Sequence, residues 1–549
     1  MTDYQHPYLL KRLERLNSIG VALSAERNNQ RLLEMILLGA QEITNADGGT
    51  LYTITDDGHL KFEMMSNKTL GISLGGTTGK EIPFLPLPLY LEDGSPNLTT
   101  VAAYATLNNK TVNIEDAYAA DNFDFSGTRK FDQKTGYHSQ SFLTIPMKNH
   151  ESEVIGVLQL INAIDIDSGK IIPFSLANQS LVESLASQAA VAMTNHNLIE
   201  GFKGLFESFI QLIADAIDQK SPYTGGHCRR VPELTKMLTQ AAIDANTGPL
   251  KDFTLNENEF YELKVASWLH DCGKVTTPES IMDKPTKLSS IFDRIELIDQ
   301  RFELLKQQAE TRMLKKQLEL VRGANRDSAA LTQQFSELEN ELKAFKTKCD
   351  EDREFLRRTN FGVESMQPAD QQRVRDIGNM VILDPIGREA PFLSENEVYN
   401  LAIARGTLTA EEREIINNHI VVTINMLESL PYPKGLVRVP EYAGGHHERM
   451  DGQGYPRGLM REQMSVPARV MGIADIFEAL TSKDRPYKKA KTLSESLTIL
   501  GKMKIEHHVD PDLFDLFVRE KIYLKYAQQF LEPEQIDEVD EAKIPGYEP

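Results

Sequence analysis

The sequence has three cysteines in 549 residues, a single tryptophan and no long apolar run. Cys228, Cys272 and Cys349 show no paired spacing such as C-x-x-C, and an odd count in a long chain fits a reducing compartment better than a disulfide framework. No stretch approaches the roughly 18 uncharged apolar residues needed to span a bilayer. The first twenty residues are charged and polar, without the apolar core of a signal peptide, so the expected location is the cytoplasm. Positive charge is also short: Lys and Arg total 60 against 80 Asp and Glu, a formal charge of −20. Such a surface argues against broad binding to nucleic acid or anionic membrane. A site for an anionic substrate must then be locally positive, through metal ions or clustered bases.

What is present is the composition of a globular protein, 41% hydrophobic and 26% charged. At about 150 residues per domain the length predicts two to four domains. After an N-terminal helix over 1–24, residues 25–197 alternate helical and strand patterns. Leu32 to Ile43 is an amphipathic helix, Gly49 to Thr55 a short strand, Val154 to Ile161 a buried strand, and Leu181 to Asn197 a helix. These elements predict an α+β domain with a central antiparallel sheet and flanking helices. From Leu198 the apolar positions run Phe202, Leu205, Phe209, Leu212 and Ala216, the spacing of a coiled-coil seam. A connecting helix over 198–220 that pairs with its copy in a homodimer is the expectation.

Residues 205–288 and 400–530 are helix-rich. Between them, 289–399 carries two further heptad series, Ile291-Ile295-Ile298-Phe302-Leu305-Ala309 and Leu331-Phe335-Leu338-Leu342-Phe345-Cys349. Turn and N-cap residues over 323–328 separate them. The pattern predicts an antiparallel helical hairpin, a spacer or partner-binding arm without catalytic chemistry. Residues 360–395, with three prolines, read as irregular, and 531–549 as a C-terminal tail.

The chemistry lies in a set of candidate ligands: His227, His270-Asp271, His419, His446-His447 and Asp475. Five of the twelve histidines fall here. A single His on a helix is more often a core or surface residue than a ligand; the set is the signal. A carboxylate such as Asp475, on the margin of an apolar helix face, is costly unless it meets a cation or donors. The His446-His447 doublet follows Gly444-Gly445, which offers a backbone free to bend. Five imidazoles and two carboxylates suit two metals with open positions, and mixed N/O ligation without thiolate suits Fe, Mn or Zn. Two metals about 3.5–4 Å apart can clamp the attacking and leaving oxygens of a phosphoryl group. Asp271, beside the terminal ligand His270, is the natural bridge.

Two motifs carry a resemblance. His270-Asp271-x-Gly273-Lys274 and His446-His447-Glu-Arg-x-Asp451-Gly452-x-Gly454-Tyr455-Pro456, followed by Asp484-Arg485-Pro486-Tyr487, resemble the HD-GYP domains, the HD-superfamily phosphohydrolases that degrade cyclic di-GMP. The resemblance implies an all-α domain over 205–288 and 400–530, interrupted by the insert. It implies one divalent metal held by His227, His270, Asp271 and Asp475, and a second held by Asp271, His419, His446 and His447. It further implies that Lys274, one helical turn from His270, stabilises charge on the scissile phosphate. Arg485 and Lys488 would hold substrate phosphates, and Gly454-Tyr455-Pro456 would flank the nucleotide and contact partner proteins. Water would attack phosphorus in line with the departing 3′ oxygen, giving pGpG and then GMP. Tyr223 stands where some members place a Glu ligand for a third metal, so two ions are expected. A non-catalytic cyclic-dinucleotide receptor, and a phosphohydrolase for cyclic GMP-AMP or dNTPs, are the alternatives.

Residues 25–197, through Asn113-Ile-Glu-Asp116-Ala-Tyr118 and Ser141-Phe-Leu-Thr-Ile-Pro146-Met with Val154 to Asn162, resemble GAF domains, which implies a regulatory sensor. Where cyclic-nucleotide-binding members carry an Asn-Lys…Phe-x-x-x-Asp-Glu signature, this chain has Asn162, Ala163, Phe174, Asn178 and Gln179. The Lys and both acids are missing, which leaves another small ligand or dimerisation as the expected role.

Overall fold

The computed structural model describes residues 5–220, 226–323, 328–362, 365–384, 386–483 and 490–548. It divides into two compact units, residues 1–205 and 206–549.

The first unit opens with α1 (Gln5–Ala25) and α2 (Asn29–Thr44). A sheet follows, made of β1 (Ala46–Ile54), β2 (His59–Asn67), β3 (Ile72–Gly75), β4 (Leu87–Pro88), β5 (Val112–Ile114), β6 (Phe142–Lys148), β7 (Val154–Ile164) and β8 (Ile171–Ile172), with helices α3 (Val101–Leu107) and α4 (Ser126–Thr135) between strands. Its order is β3-β2-β1-β7-β6-β5, with β4 on β2 and β8 on β7, and every pairing is antiparallel. Leu51, Leu143, Leu158 and Leu160 face a core completed by Leu16 and Ile19 of α1, Leu33 and Leu37 of α2, and Leu185 and Ala189 of α5 (Leu176–Lys220). The α+β expectation therefore holds, and β1 and β6 are buried along nearly their whole length, since Tyr52, Val157 and Phe142 join two further apolar clusters with α3. The division between the units falls within α5. Asn162 serves the fold: its side chain accepts from the amides of Gln140 and Ser141 at 2.8 and 3.2 Å and donates to His138 O at 2.7 Å.

The second unit is helical: α6 (His227–Ile243), α7 (Glu257–Leu269), α8 (Glu279–Met282), α9 (Ile295–Gly323), α10 (Ser328–Asn360), α11 (Pro368–Gly378), a two-stranded hairpin of β9 (Val381–Leu383) and β10 (Glu389–Pro391), α12 (Glu395–Leu401), α13 (Ala410–Asn417), α14 (His419–Glu428), α15 (Val439–Gly444), α16 (Val466–Thr481), α17 (Leu493–Ile505), α18 (Pro511–Arg519) and α19 (Ile522–Phe530). Helix α16 serves two apolar clusters, through Val470, Ile473 and Phe477 on one and Met471 on the other. Residues after α19 pack back, with Ile544 in the first of these clusters and Gln535 donating to Thr481 O at 2.8 Å.

α9 and α10 form the antiparallel hairpin expected of the heptads. Arg357–Asp299, Arg353–Glu303, Lys306–Asp350 and Lys346–Glu310 pair in steps that run forward on one helix and backward on the other. Residues 360–395 were expected to be irregular, but their described residues include helix α11 and the β9–β10 ribbon. Pro368 occupies the first turn of α11, where its missing N–H costs nothing, and Pro391 lies in a two-stranded ribbon, where edge positions tolerate it. Val374, Ile377, Ile382 and Phe392 join Ile298, Phe302 and Leu305 in a core of their own. Lys287, fully buried, donates to Leu401 O and Ile403 O at 3.0 and 2.8 Å and so ties the two roots of the insert together.

Candidate metal centre

The seven candidate ligands, drawn from five separate stretches, converge. In each of two groups, His227-His270-Asp271-Asp475 and His419-His446-His447, the ligand atoms all lie within 4.8 Å of one another. Helix termini place most of them: His227 opens α6, His419 opens α14, and His270 caps the end of α7. Asp475 is the exception, inside α16. Gly444 and Gly445 do not supply a bend, since neither has positive φ. Their role is space: a Cβ would lie 2.8 Å from Ile424 Cγ1 at Gly444 and 2.8 Å from Ala468 Cβ at Gly445.

Asp271 stands between the groups. Its Oδ2 lies 3.3 Å from His227 Nε2 and 3.2 Å from His270 Nε2, while its Oδ1 lies 3.2 Å from His419 Nε2. Asp475 Oδ1 is 3.3 Å from His227 Nε2 and 3.9 Å from His270 Nε2. His447 Nε2 is 3.2 Å from His419 Nε2.

The far side of four of the five rings is occupied. The Nδ1 of His270, His419 and His446 meets the carbonyl three residues earlier, of Ser267 at 2.8 Å, Ile416 at 2.5 Å and Ala443 at 2.6 Å. His227 Nδ1 meets the carboxylate of Glu478, which also accepts from Arg230 Nε at 2.6 Å. A ring that donates through Nδ1 presents a bare lone pair at Nε2. Those lone pairs point at carboxylate oxygens and at each other, and His227 Nε2, His270 Nε2, His446 Nε2 and Asp271 Oδ1 are buried without a hydrogen-bond partner. Leaving such groups buried and unpaired costs about 1–3 kcal/mol each. Divalent cations between them remove that cost, and the donor set of imidazoles and carboxylates fits them.

Charge follows the same plan. Burial would raise the carboxyl of Asp271, but Lys274 and His270 outweigh it and hold it well below the ordinary range. Burial also opposes ionisation of Asp475, yet the adjoining imidazoles of His227 and His446 hold its carboxyl below the ordinary range. His446 is pushed down to about 4 by burial and by His270, and His447 well below its usual value by burial and His446. These two imidazoles are neutral at pH 7 and need shed no proton to bind metal. Against burial, Glu478 and the two aspartates hold His227 well above the usual value.

Lys274 departs from the sequence expectation. It lies on a 3-10 turn (Cys272–Thr276), after α7 has ended at Leu269. The turn is held by Gly273 N donating to Thr423 Oγ1 at 2.9 Å and by Lys220 Nζ donating to Thr277 O at 2.7 Å. From it Lys274 Nζ reaches Asp271 Oδ2 at 2.6 Å. Tyr455 stacks on His447, with centroids 4.8 Å apart and planes at 18°. Glu448 holds the loop from below, accepting from Arg457 N and Leu459 N at 2.8 and 2.9 Å. At Gly454 a Cβ would fall 2.3 Å from Arg449 N, so that position takes glycine. Pro456 follows in the same half-buried loop. Arg485 and Lys488, with Tyr223, lie outside the described residues.

Glu478, Arg230 and Glu448 were missed in the sequence. Glu478 follows Asp475 by three positions and so shares its helix face, the one signal that could have found it.

Comparison with known proteins assigns the two halves. Residues 28–193 match the GAF domain family and residues 382–513 match the HD domain family. The chain pairs a GAF domain with an HD domain. The HD match covers His419, His446, His447 and Asp475, while His227 and His270-Asp271 precede it. Among curated relatives, a 3′3′-cGAMP-specific phosphodiesterase of Vibrio cholerae is 44% identical over 81 residues, 15% of this chain and 19% of that protein. A probable cyclic di-GMP phosphodiesterase of the same organism is 31% identical over 175 residues, 30% of this chain and 39% of that protein. A cyclic di-GMP phosphodiesterase of Pseudomonas aeruginosa is 34% identical over 146 residues, 27% of this chain and 30% of that protein. The chain thus spans between about a fifth and two fifths of these relatives' lengths. No helix among the described residues is long and apolar enough to cross a membrane.

Proposed function

We propose that this chain is a metal-dependent phosphodiesterase of the HD-GYP type that hydrolyses cyclic di-GMP to pGpG and on to GMP, under control of its GAF domain. The observation that carries the reading is Asp271, whose two oxygens face different groups of imidazoles. His227, His270, Asp271 and Asp475 would hold one divalent ion, Fe, Mn or Zn, and Asp271, His419, His446 and His447 a second. Bound there, the pair of ions would supply an activated water and neutralise charge on the phosphoryl group. The chain's own residues do the rest. Lys274, already cationic beside Asp271, turns to a non-bridging phosphate oxygen as that oxygen gains charge. Tyr455, stacked on His447, offers an aromatic face to a guanine base, and Gly454 and Pro456 shape the loop that carries it. Arg485 and Lys488 supply positive charge for the second phosphate. Water adds to phosphorus as the bond to the 3′ oxygen breaks, and that oxygen leaves with a proton.

The relative named for 3′3′-cGAMP favours a second reading, in which one guanine is replaced by adenine. Metal-loaded protein incubated separately with cyclic di-GMP, 3′3′-cGAMP and dNTPs, with products separated, decides between them. Turnover of cyclic di-GMP that His270→Ala/Asp271→Ala abolishes supports the proposal. Binding without turnover points to a receptor, and turnover of dNTPs alone rejects the reading.

A homodimer through α5 belongs to the same proposal. Leu198, Phe202, Leu205, Phe209 and Leu212 are 55–69% exposed at coiled-coil spacing. Disulfide cross-linking of the full-length protein through Leu205→Cys is expected, and Phe202→Glu/Phe209→Glu is expected to abolish it.

A further inference from the structure

The arm formed by α9 and α10 buries one seam and leaves another bare. On the outer face of α9 the positions 297, 300, 304, 307, 311, 314, 318 and 321 are all exposed and step by three and four. Leu297, Leu304, Leu314, Leu318 and Val321 among them are 39–54% exposed. Thr311 and two glutamines fill the other places. The stripe is separate from the inner seam of Ile298, Phe302 and Leu305. It is also not a general property of the arm, since α10 shows no exposed large apolar side chain among its described residues.

Charges flank the stripe in an ordered way. If 297, 304, 311 and 318 are the a positions, Gln300, Gln307, Leu314 and Val321 are the d positions. The e positions are then Arg301, Gln308, Lys315 and Arg322, and the g positions are Glu296, Glu303, Glu310 and Gln317. One flank is basic and the other acidic. Parallel coiled coils set a g residue of one helix against the following e residue of its partner, whereas antiparallel ones set e against e and g against g. Paired in parallel with a copy of itself, α9 brings Glu310 toward Lys315 and Gln317 toward Arg322 across the interface, while Arg301 stays with Glu397 of its own chain, 2.8 Å away. Paired antiparallel, it sets like charges together, which is destabilising. Glu303 and Glu310 also contact Arg353 and Lys346 of α10, yet their side chains stay about half exposed, at 58% and 45%, and so remain open to a second cation.

We infer that the outer face of α9 is a homotypic interface, on which α9 of a second copy of this chain docks in parallel. The inference goes beyond the catalytic reading and does not depend on it, because no residue of the stripe belongs to the metal centre. It is likewise separate from the α5 seam. Parallel pairing sets identical a positions of the two copies side by side along the whole helix, which gives a direct test.

Single cysteines are placed in the full-length protein by Leu304→Cys, Thr311→Cys and Leu318→Cys, and mild oxidation is followed by non-reducing electrophoresis. The native cysteines are buried and form the background control. Disulfide-linked dimers at all three positions are expected, and loss of the link at 304 when Leu314→Glu/Leu318→Glu is added. Circular dichroism of each variant reports whether the arm still folds, and the stripe's exposure makes that the expected outcome. Cross-linking at only one of the three positions indicates antiparallel pairing and overturns the inference. Absence of cross-linking in a folded protein overturns it too, even if sedimentation shows a dimer, since that dimer would rest on α5 alone.

Discussion

Replacing Glu478 with glutamine probes the metal centre without touching a ligand. Glu478 is 1% exposed, and its carboxylate receives His227 Nδ1 and accepts from Arg230 Nε at 2.6 Å. Glutamine keeps the volume and one acceptor oxygen but puts an NH2 where the second oxygen stood. Either His227 or Arg230 then faces a donor with its own donor. A His227 ring no longer anchored through Nδ1 is a weaker and less well aimed ligand, and loss of such a partner typically costs 10–100-fold in metal affinity. At about 1.4 kcal/mol per tenfold, that is roughly 1.4–2.8 kcal/mol, confined to the ion held by His227, His270 and Asp475. The ion held by His419, His446 and His447 should be little changed. Competition titration against a chelator of known affinity, read as two binding steps, measures both. Glu478→Gln with both steps unaltered would refute the argument that the Glu478–His227 bond positions the ligand. An equal weakening of both steps would mean a general loss of structure.

Other expectations follow from the same geometry. His446 has a folded pKa of about 4 against an ordinary value of about 6.5, so between those values the unfolded chain binds the extra proton. Its contribution to stability is therefore present above about pH 6.5 and is lost as pH falls toward 4, by at most about 3 kcal/mol. Denaturant titrations of chelator-treated protein should show that slope, and His446→Gln should flatten it. Phe302→Ala, at a fully buried site of the insert core, should lower the unfolding free energy by about 3–5 kcal/mol and leave metal stoichiometry unchanged, measured by urea unfolding and elemental analysis. Tyr455→Ala removes the ring stacked on His447 and should raise KM for a cyclic dinucleotide with kcat less affected, whereas Tyr455→Phe should behave as the parent. Equal kinetics for Tyr455→Ala would remove the base-stacking role.

The convergence of the seven candidate ligands was legible because a His-Asp and a His-His doublet each set two donors side by side in the chain. Their partners were not. The Ser267, Ile416 and Ala443 carbonyls that fix three of the rings are backbone groups, and no side-chain pattern announces them. Glu478 could be placed beside Asp475 on a helix face, but its contact with His227 exists only once α16 packs on α6, some 250 residues away in the chain. In the insert the heptads of α9 and α10 gave the hairpin, since burial follows their period. The prolines of 360–395 misled, because Pro368 starts a helix and Pro391 sits in a ribbon, two of the places where proline is accepted. Lys274 was misplaced for a related reason: an i+4 interval suggests a helical turn, and the chain leaves α7 one residue before His270. In the GAF domain the strand over Val154 to Ile161 announced itself by apolar, β-branched content, whereas the packing of α1 against the sheet depends on long-range contacts of Leu16 and Ile19.

The central claim is that one carboxylate joins two metal ions. Elemental analysis of metal-reconstituted protein, desalted to remove loosely held ions, tests it most directly. Two ions per chain are predicted for the parent and none retained by Asp271→Ala, since both groups lose the shared oxygens. One ion or fewer in the parent, or two in Asp271→Ala, would contradict it.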